Sequence, residues 1–326
     1  VQRWLTALAA EGHISVVGKG RATLYRLPAN QHDKLSTPTD DKAREDYERC
    51  IPISREGREI MAYVRPSRTG RTPAGYERGF LSDYIPGTTN YLDDSLRAHL
   101  YHIGETEEQK HPAGTYGRAI LSRLLIDLSW ASSRLEGNTY SRLDTERLIE
   151  LGQYAEGKDA QEAQMILNHK AAIELLIDGA EDICFDTYTF LSLHGLLSEN
   201  LMPDPESSGR LRRHPVHIGG SVYVPLAMPQ VIEEYFREII GKAATINDPF
   251  DQAFFIMVQL PYLQPFEDIN KRVSRLGANI LLILKIVCPL RFLDVRVLGY
   301  IDAHSVVFEM NRYLLLRALF LWAYER

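Results

Sequence analysis

Residues 264–275 read QPFEDINKRVSR, which sets Asp268, Asn270, Lys271, Arg272 and Arg275 within one loop-to-helix junction. The apolar spacing predicts a helix over 270–287, so the backbone N–H groups of its first turn lack intrahelical acceptors and favour an anion. Arg272 and Arg275, three residues apart, share roughly one face and suit phosphate oxygens. Asp268 stands just before the helix, where one carboxylate suits Mg²⁺ whose other ligands are phosphate oxygens and water. Pro265 and Phe266 are expected to pin the loop to the core. Such a set could cradle a nucleoside triphosphate without a Walker sequence; it would equally serve an ordinary capped helix with solvated charges. Just upstream, where a general base would stand, is Gln264, whose amide has no useful basicity.

These residues need a scaffold, and the chain has the composition for one. Of 326 residues, 45% are apolar and 25% charged, which suits a globular protein of more than one domain. A net charge of -6 argues against wholesale coating of nucleic acid, although a local basic patch could still bind it. Cys50, Cys184 and Cys288 are odd in number and far apart, which points away from a disulfide framework or zinc site and toward a reducing cytoplasm. The longest apolar run, 276–290, carries Lys285 and falls short of the roughly 20 residues of a spanning helix, so no membrane partner is expected. Both ends break off in mid-pattern, as in a piece of a longer chain.

Four segments are expected. Residues 1–27 combine a helix bearing Trp4, Leu5 and Leu8 with two short strands, HISVV and RATLYRL, around Gly18-Lys19-Gly20. That is the second half of a winged helix-turn-helix, with Arg3, Lys19 and Arg21 as candidate DNA contacts. A helix and hairpin that only pack on a neighbour would read the same way. Residues 28–46 are polar and aperiodic, a linker. Residues 47–117 form an arm over a larger body, with REIMAYV read as strand-like. Residues 118–326 are mainly helical: 118–136 stripes Leu121, Leu124, Leu128 and Leu135 before Gly137 stops the helix. Further helices are expected at 144–152, 160–178, 186–199, 229–242, 250–263, 270–287 and 295–325. HPVHIGGSVYVP at 214–225 predicts a β-hairpin within this helical body. The pairs His99/His102 and His214/His217 lack a third ligand at metal spacing, and His194 is expected to be packed rather than catalytic.

The segment QPFEDINKRVSR resembles the signature HxFx(D/E)GNGRxxR of the Fic (Fido, Fic/Doc) family. SSRLEG at 132–137 fits that family's inhibitory pattern (S/T)xxxE(G/N), and GRLRRHPVHIGGSVYVP at 209–225 looks like its flap. The three matches stand in the family's chain order over roughly 118–290. The resemblance implies a mainly α fold, a Fic-type helical bundle with a small β-hairpin flap, here preceded by part of a winged helix-turn-helix. It implies nucleotidyltransfer, typically AMPylation, with ATP and Mg²⁺. Asp268 would bind the metal; Asn270, Lys271 and Arg272 the phosphates; Arg275 the terminal phosphate. Ser132, Glu136 and Gly137 would form the inhibitory element, Glu136 pairing with Arg275. His214, Val216, His217, Ile218, Gly219, Gly220, Val222 and Tyr223 would dock a segment of a target protein by strand addition.

The sequence departs from that pattern in three places. Gln264 stands at the catalytic His position, which should remove a general-base contribution of roughly 10²–10⁴-fold. Ile269 and Lys271 replace both glycines, so the loop backbone is expected to differ from a glycine nest. Lys271 gives a D-x-N-K-R run similar to the Doc branch, which transfers the γ-phosphate. Two readings therefore stand: a Fic-type transferase restrained by Glu136 and impaired at Gln264, or a catalytically silent Fic domain that senses a nucleotide or peptide for a winged-helix DNA-binding regulator. A homodimer is expected if the winged helix binds DNA as two-fold pairs.

Overall fold

A computed structural model of the chain describes residues 15–17, 24–26, 48, 50–105, 113–179 and 183–326; residues 15–17, 24–26 and 113–122 are described by backbone alone. The chain divides into two compact units, Val1–Ala43 and Arg44–Arg326. In the first, β1 (Ser15–Val17) and β2 (Leu24–Arg26) pair antiparallel with Val16 opposite Tyr25, as the sequence pattern leads one to expect. The expected recognition helix, the turn at 18–20, and Arg3, Lys19 and Arg21 lie outside the described residues.

The second unit is helical and built around α9 (Pro249–Leu263), all of whose 15 residues are buried. A helix apolar on every side must be enclosed on every side. Packed on or around it are α4 (Ala113–Arg134), α6 (Ala160–Asp178), α7 (Thr187–Ser198), α8 (Pro229–Ala244), α10 (Asn270–Gly277), α11 (Asn279–Leu284), α12 (Val297–Met310) and α13 (Leu314–Tyr324). Two polar residues of α9 grip the arm. Asp251 accepts from the N–H groups of Tyr91 and Leu92 and from the Tyr84 hydroxyl, and Gln259 donates to the Phe80 carbonyl. Buried groups left unpaired would cost about 1–3 kcal/mol each, so these bonds fix the arm's course.

Several expectations are corrected. REIMAYV is helical: α1 (Arg55–Val64) starts at Ser54, whose side chain accepts from the Gly57 N–H, and it buries Ile60, Met61 and Val64 on one stripe. Its β-formers fit a helix because packing against α12 outweighs propensity. The arm also holds α2 (Gly79–Ser82) and α3 (Asp94–Gly104). The expected helix over 270–287 breaks after Gly277, and that over 295–325 breaks at Asn311, which adopts φ 53°.

The flap is not a hairpin. β4 (Tyr223–Val224) pairs in parallel with β3 (Ala74–Gly75) of the arm, Ala74 opposite Tyr223. The Val222 carbonyl accepts from the Ala74 N–H at 3.2 Å, and its N–H goes to the Glu309 carboxylate at 3.2 Å. Both main-chain groups of Val222 are therefore already used.

Candidate nucleotide site

The loop 264–269 joins two buried helices. α9 stops where Gln264 turns left-handed, at φ 52°, and where Pro265 has no N–H with which to extend the ladder. The carbonyl of Pro261, one turn earlier, thus loses its helical donor. The Gln264 side chain replaces it: Nε2 donates to the Pro261 carbonyl at 2.6 Å, while Oε1 accepts from Asn270 Nδ2 at 2.9 Å. Arg212, buried, donates its Nε to the Gln264 carbonyl at 2.5 Å and holds the loop from the flap side.

Asn270 closes the loop on itself. Its Oδ1 accepts from the Phe266 N–H at 2.9 Å, and Nδ2 donates to the Phe266 carbonyl at 3.0 Å as well as to Gln264. Both amide hydrogens are thereby occupied within the loop, where the family resemblance has Asn270 facing phosphate. Ile269 precedes α10 at φ 69° and ψ 4°, the left-handed geometry usually left to glycine. A β-branched residue thus holds left-handed backbone here, at a cost of about 1–2 kcal/mol. Burial of its side chain, 3% exposed, offsets that cost. Lys271 lies within α10 and needs no glycine geometry.

The charged groups differ in how they are used. Asp268 is 64% exposed and its Oδ2 stands 3.9 Å from Arg272. Arg272 is buried, yet its Nε and one terminal nitrogen have no hydrogen-bond partner. Every nitrogen of Arg275 is bonded: it donates to Ser132 Oγ at 2.9 Å, the Ser132 carbonyl at 3.1 Å, the Tyr300 hydroxyl at 3.0 Å and Glu136 Oε1 at 2.6 Å. Glu136 reaches it because α4 ends two residues before, with Gly137 at φ 92°. Burial pushes the Glu136 carboxyl up, but Lys271, Arg275 and Arg272 outweigh it and hold the carboxyl far below the ordinary range.

Three supporting residues were not singled out in the sequence. His169 Nδ1 lies 2.8 Å from the Met165 carbonyl and so carries the proton; its Nε2 then accepts from the Ser132 hydroxyl at 2.8 Å, which orients that hydroxyl toward Arg275. Tyr300 lies beneath Lys271 and Arg275, 6.0 and 5.2 Å from its ring centroid. His304 spends Nδ1–H on the Tyr300 carbonyl at 3.0 Å and keeps Nε2 without a partner. No sequence signal separates such buried polar residues from the apolar stripe around them, apart from their recurrence at i and i+4 on α12.

The flap residues divide by exposure. His214, His217, Gly219 and Gly220 are exposed, Val216, Ile218 and Val222 half-buried. Tyr223 is buried between Tyr262 and Phe308 and donates its hydroxyl to the Tyr262 carbonyl at 2.6 Å, so it anchors the flap rather than facing outward. His194 is packed as expected, its ring stacked on Phe266 at 4.0 Å and Nδ1 accepting from the Gly209 N–H. Among the described residues, no three of His, Cys, Asp and Glu gather to hold a metal by themselves, and no helix is long and apolar enough to cross a membrane.

The site is thus a loop of buried cations entering a short helix, with a carboxylate latched on its last arginine. Residues 184–282 match the Fic/DOC family, so this region of the chain is similar to that family. It is similar to protein adenylyltransferase fic-1 of Caenorhabditis elegans, 27% identical over 157 residues, covering 45% of this chain and 30% of that protein. Protein adenylyltransferase Fic of Aedes aegypti is 28% identical over 153 residues, with 45% and 30% covered. The matched region thus spans under a third of the length of these curated relatives. The fold resembles a Fic family protein from Desulfovibrio desulfuricans G20, with TM-score 0.57, 18% identity and 74% of each chain covered. It also resembles Fic-1 of C. elegans, with TM-score 0.52, 19% identity, and 76% of this chain and 69% of that chain covered.

Proposed function

We propose that the Arg44–Arg326 unit binds a nucleoside triphosphate, ATP, and transfers AMP or phosphate slowly to a hydroxyl of a target protein, restrained by Glu136 and impaired at Gln264. The observation that carries this reading is Arg272, a buried guanidinium with two unpaired donors beside the start of α10. Buried donors of that kind cost several kcal/mol unless an anion satisfies them. The relatives named adenylyltransferases support the reading.

Asp268 fits a Mg²⁺ that arrives with the phosphates, because a single exposed carboxylate leaves room for the water and phosphate oxygens this ion prefers. When bound, the ion would neutralise phosphate charge. Arg272 would orient the phosphate chain, and Arg275 would take its terminal phosphate once Glu136 withdraws. Gln264 cannot accept the proton of an attacking hydroxyl, so transfer runs without general-base help.

One observation favours a second reading. Both ends of the Gln264 amide are engaged within the loop, which makes it a structural part rather than an idle relic. On that reading the domain is a silent sensor of a nucleotide or peptide, reporting to a winged-helix DNA-binding unit that acts as a homodimer. The experiment supplies Mg²⁺ and ATP labelled at the α- or γ-phosphate to wild type, Glu136→Gly and Gln264→His/Glu136→Gly. Label on protein with Glu136→Gly alone eliminates the silent reading, and the labelled position tells AMP from phosphate transfer. Absence of nucleotide binding in calorimetry eliminates both in their nucleotide form.

A further inference from the structure

We propose that Lys271, where the Fic pattern has glycine, is a second cation of the Glu136 latch and passes to the terminal phosphate when Glu136 leaves, making it the residue that selects triphosphates over diphosphates. The latch half stands on the placement of Lys271 beside Arg275 and Tyr300 together with its charge near Glu136; the ligand half rests on the nucleotide reading above.

Lys271 and Arg275 are four residues apart on α10 and therefore on one face. Both face the ring of Tyr300, at 6.0 and 5.2 Å, and Arg275 also donates to the Tyr300 hydroxyl. Arg275 is in turn bonded to Glu136 at 2.6 Å. The two cations thus share one aromatic plate, and the carboxylate is tied to it through Arg275. The electrostatics agree: after burial, Lys271 is the largest influence both on the depressed Glu136 carboxyl and on His304.

The pairing is unequal. Arg275 donates to four acceptors, whereas the Lys271 ammonium has an aromatic face and the field of Glu136. Without Glu136, two cations would stand beside each other in a buried site, with Arg272 a third. An anion entering there gains most if it brings at least two negative charges. The terminal phosphate of a triphosphate does so; a diphosphate that leaves this end vacant does not.

The test of the latch needs no ligand. Urea unfolding is measured for wild type, Lys271→Met, Glu136→Gln and the double variant. Lys271→Met is expected to lower the midpoint in the wild-type background and to raise it in the Glu136→Gln background, where it removes an uncompensated charge. The same shift in both backgrounds overturns the latch. The test of selectivity is calorimetry with ATP and ADP in the Glu136→Gly background. Lys271→Met is expected to weaken ATP about 10-fold and ADP under 2-fold; an unchanged ATP-to-ADP ratio overturns the selecting role. If Glu136→Gly binds neither nucleotide, the proposed function and the selecting role fall together, while the urea cycle still decides the latch.

Discussion

The side-chain amides of Gln264 and Asn270 are hydrogen-bonded to each other across the α9–α10 loop, Oε1 accepting from Nδ2 at 2.9 Å, while Gln264 Nε2 caps the Pro261 carbonyl. This arrangement demands one donor and one acceptor at position 264. Gln264→Ala leaves a buried carbonyl unpaired and should cost about 1–3 kcal/mol. Gln264→Glu matches the shape but opposes an oxygen to the Pro261 carbonyl, so it should cost at least as much at neutral pH. That variant should recover part of the loss in acid, where a protonated carboxyl can donate. Urea unfolding at two pH values checks the pattern; a neutral Gln264→Ala would show that the amide clasp carries no stability.

The Glu136–Arg275 pair is buried, so breaking it strands a guanidinium. Removing one partner of a buried pair typically costs about 3–5 kcal/mol. Arg275 keeps Ser132 and Tyr300 as acceptors, which places Glu136→Gly near the lower end. Added ATP should then raise the melting temperature of Glu136→Gly more than that of wild type, since only wild type must displace its own carboxylate. Thermal melts with and without ATP read both effects.

Acid should destabilise the helical unit earlier than its carboxylates alone require. Burial pushes His169 and His304 down to about 3 and His194 to about 4, from an ordinary 6.5. Their folded affinity for protons is below the unfolded one, so the unfolded chain takes up protons first as pH falls. Stability is therefore full above about pH 7 and declines below 6.5, by about 1.4 kcal/mol per pH unit for each such histidine. The Glu136 carboxyl, also depressed, adds its loss only below its unfolded value of 4.5. His304→Phe should flatten the slope between pH 6.5 and 4 by about one proton, measured from urea midpoints. An unchanged slope would mean that His304 takes up its proton while folded.

The sequence carries local signals well and distant partners poorly. The end of α4 is readable because Gly137 takes a positive φ next to Glu136, and the pairing of Glu136 with Arg275 follows once the motif order is seen. The antiparallel pairing of β1 and β2 is readable from alternation around glycines. By contrast, residues 214–225 look like a hairpin in isolation, yet the partner of β4 is Ala74–Gly75, about 150 residues earlier. REIMAYV misleads for the same reason: Ser54 and the packing of Met61 on distant helices decide it, not the β-formers inside it. Ile269 shows the limit most directly, since a β-branched residue at a glycine position reads as a changed backbone. The structure sets Ile269 in left-handed backbone, held by the surrounding core, and the strain is stored there.

Glu309 is the far end of that long-range control and is expected to be indispensable for the flap. Its side chain has no exposure, and Oε1 receives Arg71 at 2.7 Å, the Ser221 hydroxyl at 2.6 Å and the Val222 N–H at 3.2 Å. Arg71 belongs to the arm and also donates to the Gly220 carbonyl, so one carboxylate joins α12, the arm and the flap. Glu309→Ala strands Arg71, 5% exposed, and frees the turn at 219–220. The expected loss is about 3–5 kcal/mol. Hydrogen exchange should locate it: the amides of Ala74 and Val222 should lose protection, while those of α9 keep their order. Glu309→Gln retains an acceptor and should fall between wild type and Glu309→Ala. Uniform loss across α9 as well would mean that Glu309 supports the whole core rather than the flap.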